Sequence, residues 1–394
     1  MVDLLEKHRG VFERVQRMMA LGINGLGVTN DQMISPTRAI VGNREIILAG
    51  TNNYMGITFD RRCIAAGKKA LDEFGTGTTG SRIANGSFAM HGELERELAK
   101  FLKLKYCIVF TTGYQANLGM LSGLAGPKDT IYLDADSHSS IYDGCTLSGA
   151  KLVRFRHNDA ADLDKRMARA EEDDGGKLVV LEGIYSMLGD RAPLADFVAL
   201  KKKHQFQLCV DDAHSFGVLG PHGRGLGDEV NLENDVDFVI GTFSKSIGAI
   251  GGFGASNHPL FETLRYAMRP YMFTASASPS SVATSIAALK ILQEEPERRS
   301  RLWANSERLY SGLKALGLDM GSDVVSPVIS VKMANELATV TNWDALFKAG
   351  VYVNMAVPPG TPNRLCLLRC SVSAAHTVEE IDCIIASFKE SVVN

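Results

Sequence analysis

The sequence has no CxxC cysteine pair, no apolar run of membrane length and no excess of one charge sign, and each absence removes a class of protein. Its 7 cysteines are scattered from Cys63 to Cys383. That spacing argues against a disulfide framework or a zinc site and suits reduced thiols in a cytoplasmic compartment. The missing apolar span argues for a soluble chain. With 42 basic against 45 acidic residues and a net charge of -3, both signs interspersed, no electropositive footprint for nucleic acid exists. The histidines show no metal-ligand spacing, so no metal is expected. Internal repeats and low-complexity linkers are also missing.

What is present is a 394-residue chain that is 45% apolar and 22% charged, enough for a large core and a second, smaller domain. Its charged start, Met1 to Arg17, reads as a helix rather than a signal peptide. From about residue 106 to 256, apolar strands alternate with helical stretches, the pattern of an α/β fold with a mostly parallel sheet and helices on both faces. The expected strands are Tyr106 to Phe110, Thr130 to Leu133, Leu152 to Phe155, Leu178 to Leu181, Gln207 to Val210 and Asp237 to Ile240. Ala161 to Glu172 and Leu194 to His204 are the clearest helices. Pro296 and the charged run Glu294 to Arg301 interrupt a long helical region. Beyond it, Val328 to Val331, Val351 to Asn354 and Leu365 to Val372 are expected as strands of a terminal α+β domain. The expected division is a helical segment over 1–45, a large domain over 46–285 and a small C-terminal domain over 286–394.

In open α/β sheets the ligand site lies outside the carboxyl ends of the strands. Polar residues recur there: Gly113 and Tyr114 after the first strand, His138 after the second, Ser186 after the fourth, Asp211 and His214 after the fifth, Lys245 after the sixth. Lys245 stands in Gly241-Thr242-Phe243-Ser244-Lys245-Ser246, directly after an apolar strand. Lysine is seldom buried without a partner. A desolvated lysine gives up its proton more readily, and the neutral amine can bond to a carbonyl cofactor; the alternative is a surface lysine in a glycine-rich turn.

A carboxylate one strand away is what a pyridine-based cofactor requires, because it keeps the ring nitrogen protonated. Asp211 is the candidate, since Asp212 points to the opposite face of its strand. His214 could bond a phenolic oxygen or satisfy a turn, and His138 could stack on a flat ring or be an ordinary loop residue. A phosphate needs backbone N–H groups at a helix start, which Thr111 to Asn117 supplies, with Thr242 and Ser244 adding hydroxyl donors. The segment Gly75 to Arg82 is glycine-rich but lacks the GxGxxG and P-loop patterns, leaving loop flexibility and substrate contact both open.

Taken together, these residues resemble the α-oxoamine synthases, pyridoxal-phosphate enzymes of the aspartate-aminotransferase fold (fold type I) that condense an amino acid with an acyl-CoA and lose carbon dioxide. The resemblance covers nearly the whole length: Asn53-Tyr54-Met55-Gly56, Gly77 to Gly86 leading to His91, Thr112-Gly113-Tyr114, Asp134 to His138, Glu182 to Met187, Asp211 to His214 and Thr242 to Lys245. Tyr142 to Cys145, Arg154 to Asn158, Tyr185 to Asp190 and Gly241 to Gly252 are most similar to the branch that joins L-serine to a long-chain acyl-CoA, giving a 3-ketosphinganine-type amino ketone, CoA and CO2.

The resemblance implies Lys245 as the Schiff-base lysine, Asp211 at the pyridine nitrogen, His214 at the phenolic oxygen and His138 stacked on the ring. It implies cofactor contacts from Gly113, Tyr114, Ser186, Thr242 and Ser244, and from Thr274 or Ala275 of a second subunit, hence a homodimer with shared active sites. Asn53 and Tyr54 are implied as substrate contacts and Arg369 as the carboxylate-binding arginine. One departure stands out: that branch commonly carries an arginine before its paired prolines, where this sequence has Val357. It leaves glycine or L-alanine as alternative substrates; an aminotransferase and a non-catalytic partner subunit are the further rivals. A lipid product allows transient membrane contact, although the sequence shows no clear amphipathic anchor.

Overall fold

The computed structural model describes residues 3–23, 25, 27–170 and 175–392. Three sheets carry the strands. The first begins with an antiparallel meander, β1 (Gln32–Ser35), β2 (Arg38–Val41) and β3 (Arg44–Leu48). The stretch over 1–45 is therefore not simply helical: the helix Arg9–Ala20 is followed by strands. Met1 and the expected helix end at Glu172 lie outside the described residues.

The central sheet holds β4 (Tyr106–Phe110), β5 (Thr130–Asp134), β6 (Lys151–Phe155), β7 (Lys177–Glu182), β8 (Gln207–Asp211), β9 (Phe238–Thr242) and β10 (Gly252–Ser256), in the order β4-β10-β9-β8-β7-β5-β6. Its middle strands are apolar runs buried on both faces, as Leu178 to Leu181 illustrates. The pairings are parallel except at β10, which runs antiparallel to both β9 and β4. The link from β9 to β10 is too short for a crossover, which takes roughly a dozen residues or more.

Strand β10 carries glycines where strand formers would be expected, which hid it from the sequence. Close approach explains them. A Cβ on Gly252 would lie 2.7 Å from the Cα of Gly113, and one on Gly254 would lie 2.3 Å from the sulfur of Met120. The bare strand lets the helix Gly113–Leu124 settle against the sheet.

The third sheet joins β11 (Val328–Met333), β13 (Asn354–Ala356) and β14 (Cys366–Ser371), all antiparallel. The single strand expected over Val351 to Asn354 is in fact two. Val351–Tyr352 forms β12, parallel to β3 in the first sheet, and the chain then crosses to β13, beside β14. Val353 between them is fully buried. Arg369 on β14 lies opposite both Ser330 and Asn354.

Candidate active site

A cavity of ≈ 310 Å³ opens beyond the carboxyl ends of β4, β5, β7, β8 and β9. Gly113, Tyr114, His138, Asp211, His214, Thr242, Ser244 and Lys245 all line it, so residues from distant parts of the sequence share one wall. Lys245 is half-buried and opens into this cavity. Burial lowers its ammonium to about 8; the carboxylates of Asp211 and Glu182 pull it up and the guanidinium of Arg369 pushes it down. At neutral pH a usable fraction of the amine is thus unprotonated.

Asp211 is buried at the end of β8, with Oδ1 accepting from the backbone N–H of Ala213 at 2.9 Å and Oδ2 from Asn117 Nδ2 at 2.7 Å. Asp212 faces away. It accepts from the hydroxyl of Ser215 and from the N–H of Leu226, and burial raises its carboxyl to about 7. The opposed faces of adjacent strand residues separate the two acids.

His138 caps the helix Ser139–Ser148. Its Nδ1 accepts from the Ser140 N–H at 3.2 Å, which places the ring proton on Nε2, and Ser140 Oγ lies 2.7 Å from the same Nδ1. Burial and the charge of Lys245 favour the neutral imidazole against the opposing pull of Asp211. A neutral flat ring is suited to stacking. His214 is held neutral more strongly, first by burial and then by Lys245, Arg369 and His138. Its Nδ1 lies 2.6 Å from the hydroxyl of Tyr54. The phenol's other contact, to Asn52 Oδ1, is longer at 3.4 Å, so the phenol hydrogen is assigned to His214 and Nε2 keeps its proton for the cavity.

Thr242 and Ser244 hydroxyls lie 3.0 Å apart. The helix Gly113–Leu124, capped by Thr112 Oγ1, begins against them: a Cβ on Gly113 would sit 2.7 Å from Thr242 Oγ1. Unpaired helix-start N–H groups and two hydroxyls together suit a phosphate.

Several expected residues stand off this wall. Asn53 was expected to touch substrate, but its side chain is used within its own turn, donating to Thr58 Oγ1 at 2.8 Å and accepting from the Ile57 N–H at 3.1 Å. Tyr54 reaches the site through His214. Ser186 offers its backbone carbonyl to Arg369 Nε at 2.6 Å. Thr274 accepts from Gln115 Nε2 of its own chain at 3.1 Å, and Ala275 lines a neighbouring crevice with it. Arg369, only 6% exposed, has neutral hydrogen-bond partners: the Ser186 carbonyl, Asn52 Oδ1 and Ser371 Oγ. A buried cation with neutral partners is costly until an anion joins it.

Three site residues escaped the sequence reading. Asn117 donates to both Asp211 and Ser140 Oγ, tying the acid to the His138 ring. Its position, one helical turn after Gly113 on a largely apolar helix, was the available signal. Glu182 is paired with Asp211 across β7 and β8 and accepts from the His138 N–H at 2.5 Å. Burial, followed by the charge of Asp211, raises its carboxyl well above the usual range. Asn52 Oδ1 accepts from Arg369 and Ser371; nothing beyond its place beside Asn53 marked it.

These features fit pyridoxal phosphate: an amine of lowered basicity, a carboxylate, two neutral imidazoles and an anion cradle on one cavity of small-cofactor size. The comparisons agree. The model of the family "Aminotransferase class I and II" matches residues 44–388. Serine palmitoyltransferase of Caulobacter vibrioides is 52% identical over 389 residues, covering 99% of this chain and 96% of that protein. The Sphingomonas paucimobilis serine palmitoyltransferase is 49% identical, covering 98% and 92%. A solved Sphingomonas wittichii serine palmitoyltransferase superposes with a TM-score of 0.96 at 50% identity, over 99% of this chain and 98% of that one. Another solved relative, described as holding a PLP internal aldimine, also gives 0.96, at 48% identity over 99% and 98%. The chain belongs to the class I and II aminotransferase family of pyridoxal-phosphate enzymes, in the α-oxoamine synthase branch that includes bacterial serine palmitoyltransferases.

Proposed function

We propose that the protein joins L-serine to a long-chain acyl-CoA, releasing CoA and CO2 and forming a 3-ketosphinganine-type amino ketone. The observation that carries this reading is the convergence of Lys245, Asp211, His138 and His214 on one cavity, in a chain about half identical to serine palmitoyltransferases. When bound, pyridoxal phosphate supplies an aldehyde carbon for amines and a protonated ring that takes up the electron pair left when a bond to the α-carbon breaks.

Lys245 would hold the cofactor through its Nζ, and the same Nζ, when free, would take the substrate α-proton as general base. Its lowered basicity, to about 8, leaves the amine ready to accept that proton near neutral pH. It later returns a proton to the α-carbon after CO2 has left. Asp211 keeps the ring nitrogen protonated, and Asn117 fixes the carboxylate by its 2.7 Å bond. Glu182 anchors the His138 backbone, and the His138 ring would cover the cofactor face. His214 Nε2 donates to the phenolic oxygen. Thr242, Ser244 and the N–H groups from Gly113 and Tyr114 hold the phosphate, and Arg369, short of an anionic partner, takes the substrate carboxylate.

Exposed Tyr114 and Ile250 at the cavity, and Phe273 beside Thr274, support a homodimer in which Thr274 or Ala275 of the partner completes the phosphate site. A cytoplasmic location accords with reduced cysteines, and among the described residues no helix is long and apolar enough to cross a membrane. Val357 lines a separate groove together with Arg14 and Leu337, so Arg369 is left as the carboxylate ligand in this reading. CoA release over a matrix of amino acids and acyl-CoA lengths tests the proposal. L-Serine with a chain of about sixteen carbons should give the highest kcat/KM; a maximum with glycine or L-alanine would assign the protein to those branches instead.

A further inference from the structure

The helix Arg9–Ala20 and the helix Glu336–Lys348 flank a second cavity, of ≈ 380 Å³. Met18, Ala20, Leu21, Leu337, Val340 and Val357 give it an apolar wall. Its other lining groups are Arg14, Arg17 and Glu336. Arg14 spends one Nη on the carbonyl of Pro358 at 2.5 Å, and its Nε is ion-paired with Glu336 at 3.6 Å, too far for a hydrogen bond. That Nε is buried with no hydrogen-bond partner. Arg17 is exposed and makes no hydrogen bond or ion pair among the described residues.

Glu336 balances the charge of Arg14, and Arg17, exposed at the edge of the apolar wall, has no anion beside it. Two arginines against one glutamate leave the cavity net positive, with an orphan donor buried in its wall. The missing piece is an apolar chain ending in a compact anion. A cavity of roughly 150 Å³ holds a benzene ring, so this one has room for an alkyl segment of roughly fifteen heavy atoms.

We propose that this cavity binds a free long-chain fatty carboxylate, its chain against Met18, Leu21, Leu337, Val340 and Val357 and its head group on Arg14 and Arg17. The site draws on none of the residues assigned to the reaction, and the inference stands independently of the proposed function. A carboxylate, rather than a bulky phosphorylated carrier, matches a polar lining made of two arginines and one glutamate.

The test uses the full-length holoprotein and dodecanoate. Calorimetry should show one saturable site per chain, and dodecanoate carrying a terminal diazirine should label peptides containing Met18 to Leu21 or Leu337 to Val340. Arg17→Glu and Leu337→Asp change exposed side chains, so the fold should survive both. Each should weaken binding about tenfold or more, the loss of one charge-assisted contact or of apolar chain contact, while pyridoxal-phosphate affinity stays unchanged. Dodecyltrimethylammonium, with the same tail and opposite charge, should not compete. Unchanged affinity in both variants, labelling confined to other peptides, or equal binding of the cationic amphiphile would overturn the proposal. So would palmitoyl-CoA binding there more tightly than dodecanoate, or a change in oligomeric state in both variants, which would make the face an interface between copies.

Discussion

Replacing His157 by asparagine should destabilise the protein in a way that fades as pH rises. The ring bridges two acids, with Nδ1 2.9 Å from Asp134 and Nε2 2.6 Å from Asp190. Burial opposes the imidazolium, but these two partners outweigh it and raise the group to about 10, against an unfolded value of about 6.5. A raised value means that the stability it contributes is fully present below about pH 6.5 and is lost as pH climbs through about 10. The shift corresponds to roughly 4–5 kcal/mol at pH 6 and about 1 kcal/mol at pH 9.5. The side chain keeps 20% of its surface in solvent, so screening reduces the usable change to about 2 kcal/mol. Denaturant unfolding of apo wild-type and His157→Asn protein at both pH values reads the difference directly, and contributions common to both cancel. A stability gap that stayed constant or widened toward pH 9.5 would refute the reasoning. The loop locked by this pair carries Ser186, whose carbonyl holds Arg369, so substrate KM should rise with the same variant.

Capture of pyridoxal phosphate by apo-protein should accelerate about tenfold between pH 7 and 9, because the reactive neutral form of Lys245 grows as pH passes through about 8; stopped-flow absorbance measures it, and a flat profile contradicts the lowered basicity. Tyr54→Phe leaves His214 Nδ1 without its donor and should cost about 1–3 kcal/mol, read as lower thermal stability and weaker cofactor binding. Asp211→Asn should keep the fold, since its amide oxygen still accepts from the Ala213 N–H and Asn117 can turn its own amide to accept from the new NH2, yet lower kcat about 100-fold or more; steady-state CoA release measures the loss.

The central sheet was legible because its parallel strands are short apolar runs ending in polar residues, and that rule alone drew Lys245, Asp211, His214 and His138 to one edge. Strand β10 was not, because its glycines answer to the close approach of a helix rather than to strand propensity. The β1 to β3 meander was hidden for a different reason: its strands are only four or five residues long and alternation is not sustained along them. Asn117 and Glu182 belong to a class that linear reading handles poorly, buried polar groups whose partners lie on other elements. Asn52 and Asn53 look alike in the sequence. Which of two adjacent asparagines faces Arg369 depends on the turn that consumes Asn53, and only the folded backbone settles it.

The central claim, that Lys245 is the residue that carries the cofactor, is tested most directly by borohydride reduction of the protein with pyridoxal phosphate, followed by peptide mass mapping. The account predicts a single phosphopyridoxyl group, on the peptide containing Lys245, and none in Lys245→Ala. Label on a different lysine, or equal labelling of the variant, would contradict it.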